Sequence, residues 1–239
     1  MSDLDVVWHD LECSRYRADL ALWAQLAEVE QGPILDVGAG TGRVTLDLAG
    51  RGHEVLALDR EPAFLEQLRE RAGDRAVETV VADAGGFHLP GQRFGLIIAP
   101  QQTVQLLDDP QRAGFLRSAR EHLKPNGLVA CSLATDMVEW TCPPHVLPLA
   151  DHLVLDGVSY YSQPVALLDD GTRMTIHRIR SIVETSGDWS AADDFIHLAK
   201  VDSDRIGAEA QAAGLRPLPV QVIDPTQEHV GTTVVMFRG

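Results

Sequence analysis

Cysteine is scarce in this sequence, and the three present, Cys13, Cys131 and Cys142, form no C-x-x-C pair. An odd, scattered set excludes a disulfide framework and a zinc knuckle, so the thiols read as small buried groups in a reducing compartment and no metal is expected. Basic residues are also few: 20 Lys and Arg against 35 Asp and Glu leave a formal net charge of -15. Such a field repels phosphate polymers and the anionic membrane face, which bind through clustered Lys and Arg, so no nucleic-acid partner is expected. Long apolar runs are missing too. None approaches the roughly 18 to 20 residues of a membrane span, and the opening Met1 to Asp5 lacks the basic and apolar regions of a signal peptide. A soluble, cytoplasmic protein with no membrane partner is expected. No internal repeat, low-complexity tract or linker interrupts the 239 residues, 45% of them hydrophobic, so one domain with a sizeable core is expected.

What is present is an alternation of strand and helix. A loose apolar stripe (Tyr16, Leu20, Leu22, Trp23, Leu26, Ala27) predicts an N-terminal helix over about Ser14 to Glu30, within a helical cap at about 1–30. Strands are predicted at Pro33 to Val37, Glu54 to Leu58, Glu78 to Val81, Phe94 to Ala99 and Gly127 to Leu133. Helices fall between them through Val44 to Ala49, Ala63 to Ala72 and Asp109 to Leu123, with Pro125-Asn126-Gly127 as a helix-ending turn. This order means a parallel sheet covered by helices on both faces. The pattern then breaks: Val158 to Val183 reads as two extended stretches around Asp169-Asp170-Gly171-Thr172, a hairpin signature. We read an antiparallel insert over about 137–200, serving as a lid within the one domain. A helix from about Asp204 to Ala213, capped by Ser203 and stopped by Gly214, precedes extended stretches at Leu218 to Ile223 and His229 to Phe237.

Within this frame the stretch Ile34 to Val44 places Gly38, Gly40 and Gly42 between a buried strand and a helix, where backbone N–H groups can approach a ligand closely. A dinucleotide fingerprint would be G-x-G-x-x-G and a phosphate loop would end in G-K-[ST]; here the run is G-x-G-x-G, entered from Asp36. An acid at that entrance repels pyrophosphate and attracts a cation. Asp59 and Asp83 follow at the ends of the next two strands, so three carboxylates meet at the carboxyl edge of the sheet.

Asp36 to Gly42, Asp59 and the pair Asp83-Ala84 resemble the cofactor site of the class I S-adenosylmethionine-dependent methyltransferases. The resemblance implies a Rossmann-like, seven-stranded sheet with its last strand antiparallel, here with the small antiparallel insert. It also implies that Gly38, Ala39, Gly40 and Gly42 pass under the cofactor, that Asp36 meets its ammonium group, that Asp59 with Arg60 beside it takes the ribose hydroxyls, and that Asp83 with Ala84 takes the adenine amino group. A ligand with an ammonium, a diol and an exocyclic amine wants acceptors, and charge-assisted hydrogen bonds contribute about 1.5 to 3 kcal/mol each. The expected function is methyl transfer to N or O of a small molecule by in-line displacement, as monomer or homodimer. Two alternatives stand: a cofactor-binding regulatory or scaffold module without catalysis, and a nicotinamide-dependent oxidoreductase, in which the third glycine should stand one position later.

The acceptor side is less marked. After the fourth strand the sequence has Ala99-Pro100-Gln101-Gln102-Thr103 in place of the N-P-P-Y type motif of base and glutamine methylating members, and the layout resembles small-molecule members such as the glycine and amino-sugar N-methyltransferases. A dedicated general base is optional. Gln101, Gln102 and His88 are the candidate catalytic residues, His88 with a solvent-facing histidine as its alternative. Tyr16, Thr103, Tyr160 and Arg178 are the candidate acceptor contacts. Trp8, His9 and Tyr16 either fold over the cofactor or pack a helix on the sheet. His122, late in its helix, reads as a dipole cap. Arg178 and Arg180 share one face of an extended strand with His177 on the other; an inward Arg face would bind an acidic acceptor, and paired surface charges are the alternative. Trp140, His145 and the Cys142-Pro143-Pro144 turn read as the lid entrance.

Overall fold

Two fully buried four- to six-residue apolar runs, Ile34–Val37 (β1) and Phe94–Ala99 (β4), form the centre of the sheet, as expected for strands covered on both faces. The computed structural model describes residues 3–143, 145–146, 148–226 and 229–239, leaving Pro144 of the expected lid turn outside the described residues. Around the central pair lie β2 (Val55–Asp59), β3 (Val77–Val81) and β5 (Leu123–Leu133), all parallel to them in the order β5-β4-β1-β2-β3. The strand-like β5 starts earlier than predicted: its register on β4 shifts between Phe94 and Leu96, and Asn126 takes φ 60° inside it. Beyond β5 comes β13 (Thr232–Arg238), antiparallel to it. Two short pieces, β11 (Arg216–Pro217) and β12 (Gln221–Ile223), pair antiparallel with opposite ends of β13, so the outermost strand is a single edge position broken in its middle. The sheet thus has seven positions, filled by eight strands, with β13 reversed.

Side-chain alternation divides the core in two. Leu35, Val37, Ile97, Ala99, Val129 and Cys131 pack with Phe115 and Leu116 of α5 (Asp109–His122) and Ile206 of α6 (Ser203–Ala212). On the other face Ile34, Leu96, Ile98 and Ala130 pack with Trp23 of α2 (Leu20–Val29) and Leu48 of α3 (Arg43–Gly50). A fifth helix, α4 (Pro62–Ala72), covers the β2 and β3 end through Leu65 and Leu68. Helix α5 starts with a capping box in which the Asp108 carboxylate accepts from Gln111 N at 2.9 Å, and the Gln111 side chain accepts in turn from Asp108 N. At α6 the cap is Asp202, whose carboxylate accepts from Arg205 N at 2.8 Å, one residue before the predicted Ser203.

Two expectations need correction. The N-terminal helix is not continuous over 14–30: α1 (Asp3–Cys13) and α2 are separate, joined by the non-helical Ser14–Asp19 segment. The reason is tertiary, because Asp19 and Tyr16 are claimed by Arg43 (below). The insert is also larger than a hairpin. β8 (Val158–Asp169) and β9 (Arg173–Val183) do flank the predicted turn, but β10 (Trp189–Ala199) pairs β9 along all 11 of its residues. Both β6 (Trp140–Thr141) and β7 (Asp151–Leu155) pair β8, giving a five-stranded antiparallel sheet. Its outer face carries exposed Trp189 and Phe195; its inner face carries Tyr160, Ser162, Arg178, Arg180 and Asp194.

Candidate functional site

At the carboxyl end of β1 the chain turns through Gly38 (φ 73°) and Gly40 (φ 55°), conformations that favour glycine. Gly38 N and Ala39 N donate to Leu58 O at 2.8 and 3.0 Å, and Gly40 N donates to Asp59 Oδ2 at 2.8 Å, which fastens the loop to β2. The other Asp59 oxygen accepts from Glu61 N at 3.0 Å. Asp59 therefore has one backbone partner on each oxygen and further lone pairs free to accept. Asp83, exposed after β3, accepts from Gly85 N at 2.7 Å, with Ala84 half-buried against the main core beside it. Arg60 is exposed. Gly42 (φ 95°) begins α3 and sits against α4: a Cβ there would lie 2.2 Å from Leu68 Cδ1, so packing alone demands this glycine.

Asp36 is 1% exposed. Its Oδ2 accepts from Thr45 Oγ1 at 2.7 Å, whereas among the described residues Oδ1 has no hydrogen-bond partner. Burial pushes the carboxyl up to about 6, opposed by the Thr45 hydrogen bond and the Arg43 charge. An unpartnered buried carboxylate oxygen is costly unless something supplies a donor or a cation.

Helix α1 lies over this loop. A Cβ on Gly40 would fall 2.4 Å from His9 Nε2, so the glycine admits the imidazole directly onto the backbone. His9 packs at a tilt against Phe64 with ring centroids 4.5 Å apart, and burial holds it below the ordinary imidazole range. Next to it Thr41 Oγ1 donates to Asp10 Oδ1 at 2.6 Å, and Asp10 pairs with Arg71 of α4. Neighbouring residues of α1 meet the insert. Glu12 accepts from Arg180 Nε and Nη2, both at 2.8 Å, and from Ser162 Oγ at 2.7 Å. Arg180 continues to Asp194 at 2.8 Å and lies over the ring of Trp8, which meets Tyr160 edge-on. The segment after α1 is fixed by Arg43, which pairs with Asp19 at 2.5 and 2.7 Å, donates to Tyr16 O and lies over the Tyr16 ring.

The remaining candidates sort as follows. Gln101 and Gln102 follow β4 in left-handed conformations (φ 47° and 59°); Gln101 Nε2 donates to Cys13 O at 3.2 Å, which draws the end of α1 to the end of β4. Thr103 is buried beneath Gly38 and its hydroxyl donates to Pro100 O at 2.6 Å, so it shapes the loop and offers no free donor. The Tyr16 hydroxyl lies 3.3 Å from Thr232 Oγ1. His88 is exposed, with its ring edge-on to His122 at a centroid distance of 5.8 Å. His122 is no dipole cap: it is buried, its Nε2 accepts from Leu89 N at 2.9 Å and its Nδ1 meets Ser118 O at 2.7 Å, tying the segment after β3 to α5. Glu12, Asp194, Asp10 and Phe64 were not foreseen. Their partners lie up to 168 residues away, so no local spacing marks them.

A cavity of about 710 Å³ opens between α1, α4 and β7 and is lined by Asp10, Arg15, Glu70, Arg71 and Leu153 among others, but by none of the glycine-loop residues. The unpartnered Asp36 oxygen is the better marker of a ligand, because it identifies a missing donor and not merely space.

Residues 34–127, from the first residue of β1 into β5, match the family model described as a methyltransferase domain. Among curated relatives, the cypemycin N-terminal methyltransferase of a Streptomyces species is 30% identical over 112 residues, 46% of this chain and 45% of that protein. The malonyl-[acyl-carrier protein] O-methyltransferase of Geobacter sulfurreducens is 38% identical over 112 residues, covering 45% and 40%. The chain thus spans less than half the length of either relative. Solved structures match over nearly the whole chain. The amino pentose methyltransferase CalS10 of Micromonospora echinaspora, with S-adenosylmethionine bound, superposes with a TM-score of 0.72 at 18% identity, covering 100% of this chain and 98% of that one. For the sugar N-methyltransferase KedS8 of a Streptoalloteichus species the values are 0.71, 17%, 100% and 94%.

Proposed function

We propose that the chain, whose residues 34–127 match a methyltransferase domain, is a class I S-adenosylmethionine-dependent methyltransferase that transfers the methyl group to nitrogen or oxygen of a small-molecule acceptor by in-line displacement. The observation that carries this reading is Asp36 Oδ1, a buried carboxylate oxygen with no partner among the described residues, at the mouth of a glycine turn. It asks for a cationic donor, which the cofactor's ammonium group provides. The other donors and acceptors fit: Asp59 takes the ribose hydroxyls on its free lone pairs, exposed Asp83 takes the adenine amino group with Ala84 beside it, and the Gly38–Gly40 turn carries the chain beneath.

When bound, S-adenosylmethionine supplies an electrophilic methyl group on a good leaving group. The chain's own part is to position the acceptor and exclude water, an effect reaching about 7 to 11 kcal/mol in well-oriented cases. α1 covers the loop through His9, and Gln101 holds α1 to the end of β4. The side chains that follow β4, Gln101, Gln102 and Thr103, have no group that takes a proton at neutral pH. An amine acceptor that arrives neutral needs no base from these three. The amino pentose and sugar N-methyltransferases among the similar structures support a small-molecule acceptor.

Calorimetric titration with S-adenosylmethionine, S-adenosylhomocysteine and NADH tests this. The first two should bind and NADH should not, and Asp36→Asn and Asp59→Ala should each weaken binding roughly tenfold to a hundredfold, the loss of one charge-assisted hydrogen bond. Binding of NADH alone would sink the reading.

A further inference from the structure

On the inner face of the insert sheet, Arg178 and Asp194 stand directly opposite one another in the register of β9 and β10. Each carries a buried polar atom without a hydrogen-bond partner among the described residues: Arg178 Nε, a donor, and Asp194 Oδ2, an acceptor. The neighbouring charges are accounted for. Arg180 is held by Glu12 and by the other oxygen of Asp194, and Glu12 is filled by Arg180 and Ser162. Among the described residues Arg178 has a loose ion pair with Asp151, at 4.0 Å, and its charge also acts on Glu12 and Asp194 without a hydrogen bond to its Nε; Asp151 is shared with Arg15 at 3.9 Å. The two open valences therefore belong to one place, a cross-strand pair whose Cβ atoms stand about 4.5 to 5.5 Å apart. A buried guanidinium donor and a buried carboxylate acceptor left open together are costly unless a ligand closes both.

We propose that Arg178 and Asp194 are the acceptor-recognition pair, and that the acceptor carries a carboxylate, for Arg178, on the carbon next to an amino or hydroxyl group, for Asp194. The cross-strand spacing suits two groups on adjacent atoms of one small molecule. A planar guanidinium suits a carboxylate, and a carboxylate oxygen suits an N–H or O–H donor. The pair faces α1, whose last residue, Cys13, is in turn held by Gln101 at the end of β4. This inference rests on the methyltransferase reading.

The test uses the full chain saturated with S-adenosylhomocysteine, whose binding is first measured by calorimetry in wild type, Arg178→Met and Asp194→Asn. Loss of that binding in wild type would count against the methyltransferase reading; equal binding in all three shows intact cofactor sites. Saturation-transfer NMR then compares 2-aminobutanoate and 2-hydroxybutanoate with butanoate, which lacks the donor, and butan-2-amine, which lacks the carboxylate. We expect either bifunctional probe to bind at least tenfold tighter than either truncated one. Arg178→Met should remove the preference for carboxylates, and Asp194→Asn the preference over butanoate. Equal binding of all four probes, no binding of any while S-adenosylhomocysteine binds, or unchanged affinities in both variants would overturn the proposal.

Discussion

The parallel half of the molecule and the antiparallel insert solve burial in opposite ways. In β1 and β4 every residue is buried, Asp36 excepted in kind but not in burial, and both faces of the sheet are sealed by helices. In the insert the outer face leaves Trp189 and Phe195 more than half exposed, while the inner face turns two arginines and an aspartate inward against α1. One half gains its stability from apolar area on both faces; the other combines a small apolar cluster of Leu167, Met174 and Leu198 with long-range charge pairing. A sheet that is dry on both sides tolerates little change at any position. A sheet that is wet on one side concentrates its sensitivity in a few polar contacts.

Substitutions can sharpen or break this contrast. The largest effect is expected at the buried pair that fixes the segment after α1: Asp19→Ala leaves Arg43 with a buried, unpaired charge and should cost about 3 to 5 kcal/mol in denaturant unfolding. Next comes a pH effect within the parallel half. Because the folded Asp36 carboxyl is raised from 3.8 to about 6, the folded state holds a proton that the unfolded state releases between those values. Stability of the ligand-free protein should therefore be greatest below about pH 4 and fall by about 3 kcal/mol by pH 7 from this group alone. Asp36→Asn should flatten that slope in a pH series of melts. By the same sign, a cation binding at Asp36 should bind more tightly as pH rises through 6. At the junction between the halves, Glu12→Gln removes the charge held by Arg180 and should cost about 1 to 3 kcal/mol, read by the same unfolding curves. Smallest of all, Phe195→Ala on the open outer face should stay within about 0.5 kcal/mol. If Phe195→Ala instead proved as costly as Asp19→Ala, the contrast would be wrong.

The same contrast explains what was legible in the sequence. β1, β4 and their helices follow from apolar runs, and the glycine turn with Asp36, Asp59 and Asp83 follows from local spacing, because each of those features is set by residues a few positions apart. Gly42 was assigned to the ligand because its φ is all that spacing can predict; its contact with Leu68 comes from a helix 20 residues further on. The break between α1 and α2 was missed because Arg43, not any breaker within 14–19, takes hold of Tyr16 O and Asp19. β10 was missed because Ser190 to Asp194 are small and acidic and its apolar residues Phe195, Ile196 and Leu198 crowd into its second half; pairing with β9 carries the strand over its full length. Glu12 looked like one surface acid among 35 until the fold brought Arg180 to it.

The Arg43 anchor has a kinetic side. With Tyr16 and Asp19 pinned, the chain free to flex behind α1 is about as long as Ser14 and Arg15, and even full extension of two residues spans only about 7 Å. α1 is in effect a ligand tethered to its own site at an effective concentration of millimolar or more. Detachment of α1 would leave it tethered, and its return would be a unimolecular step that dilution of the protein cannot slow.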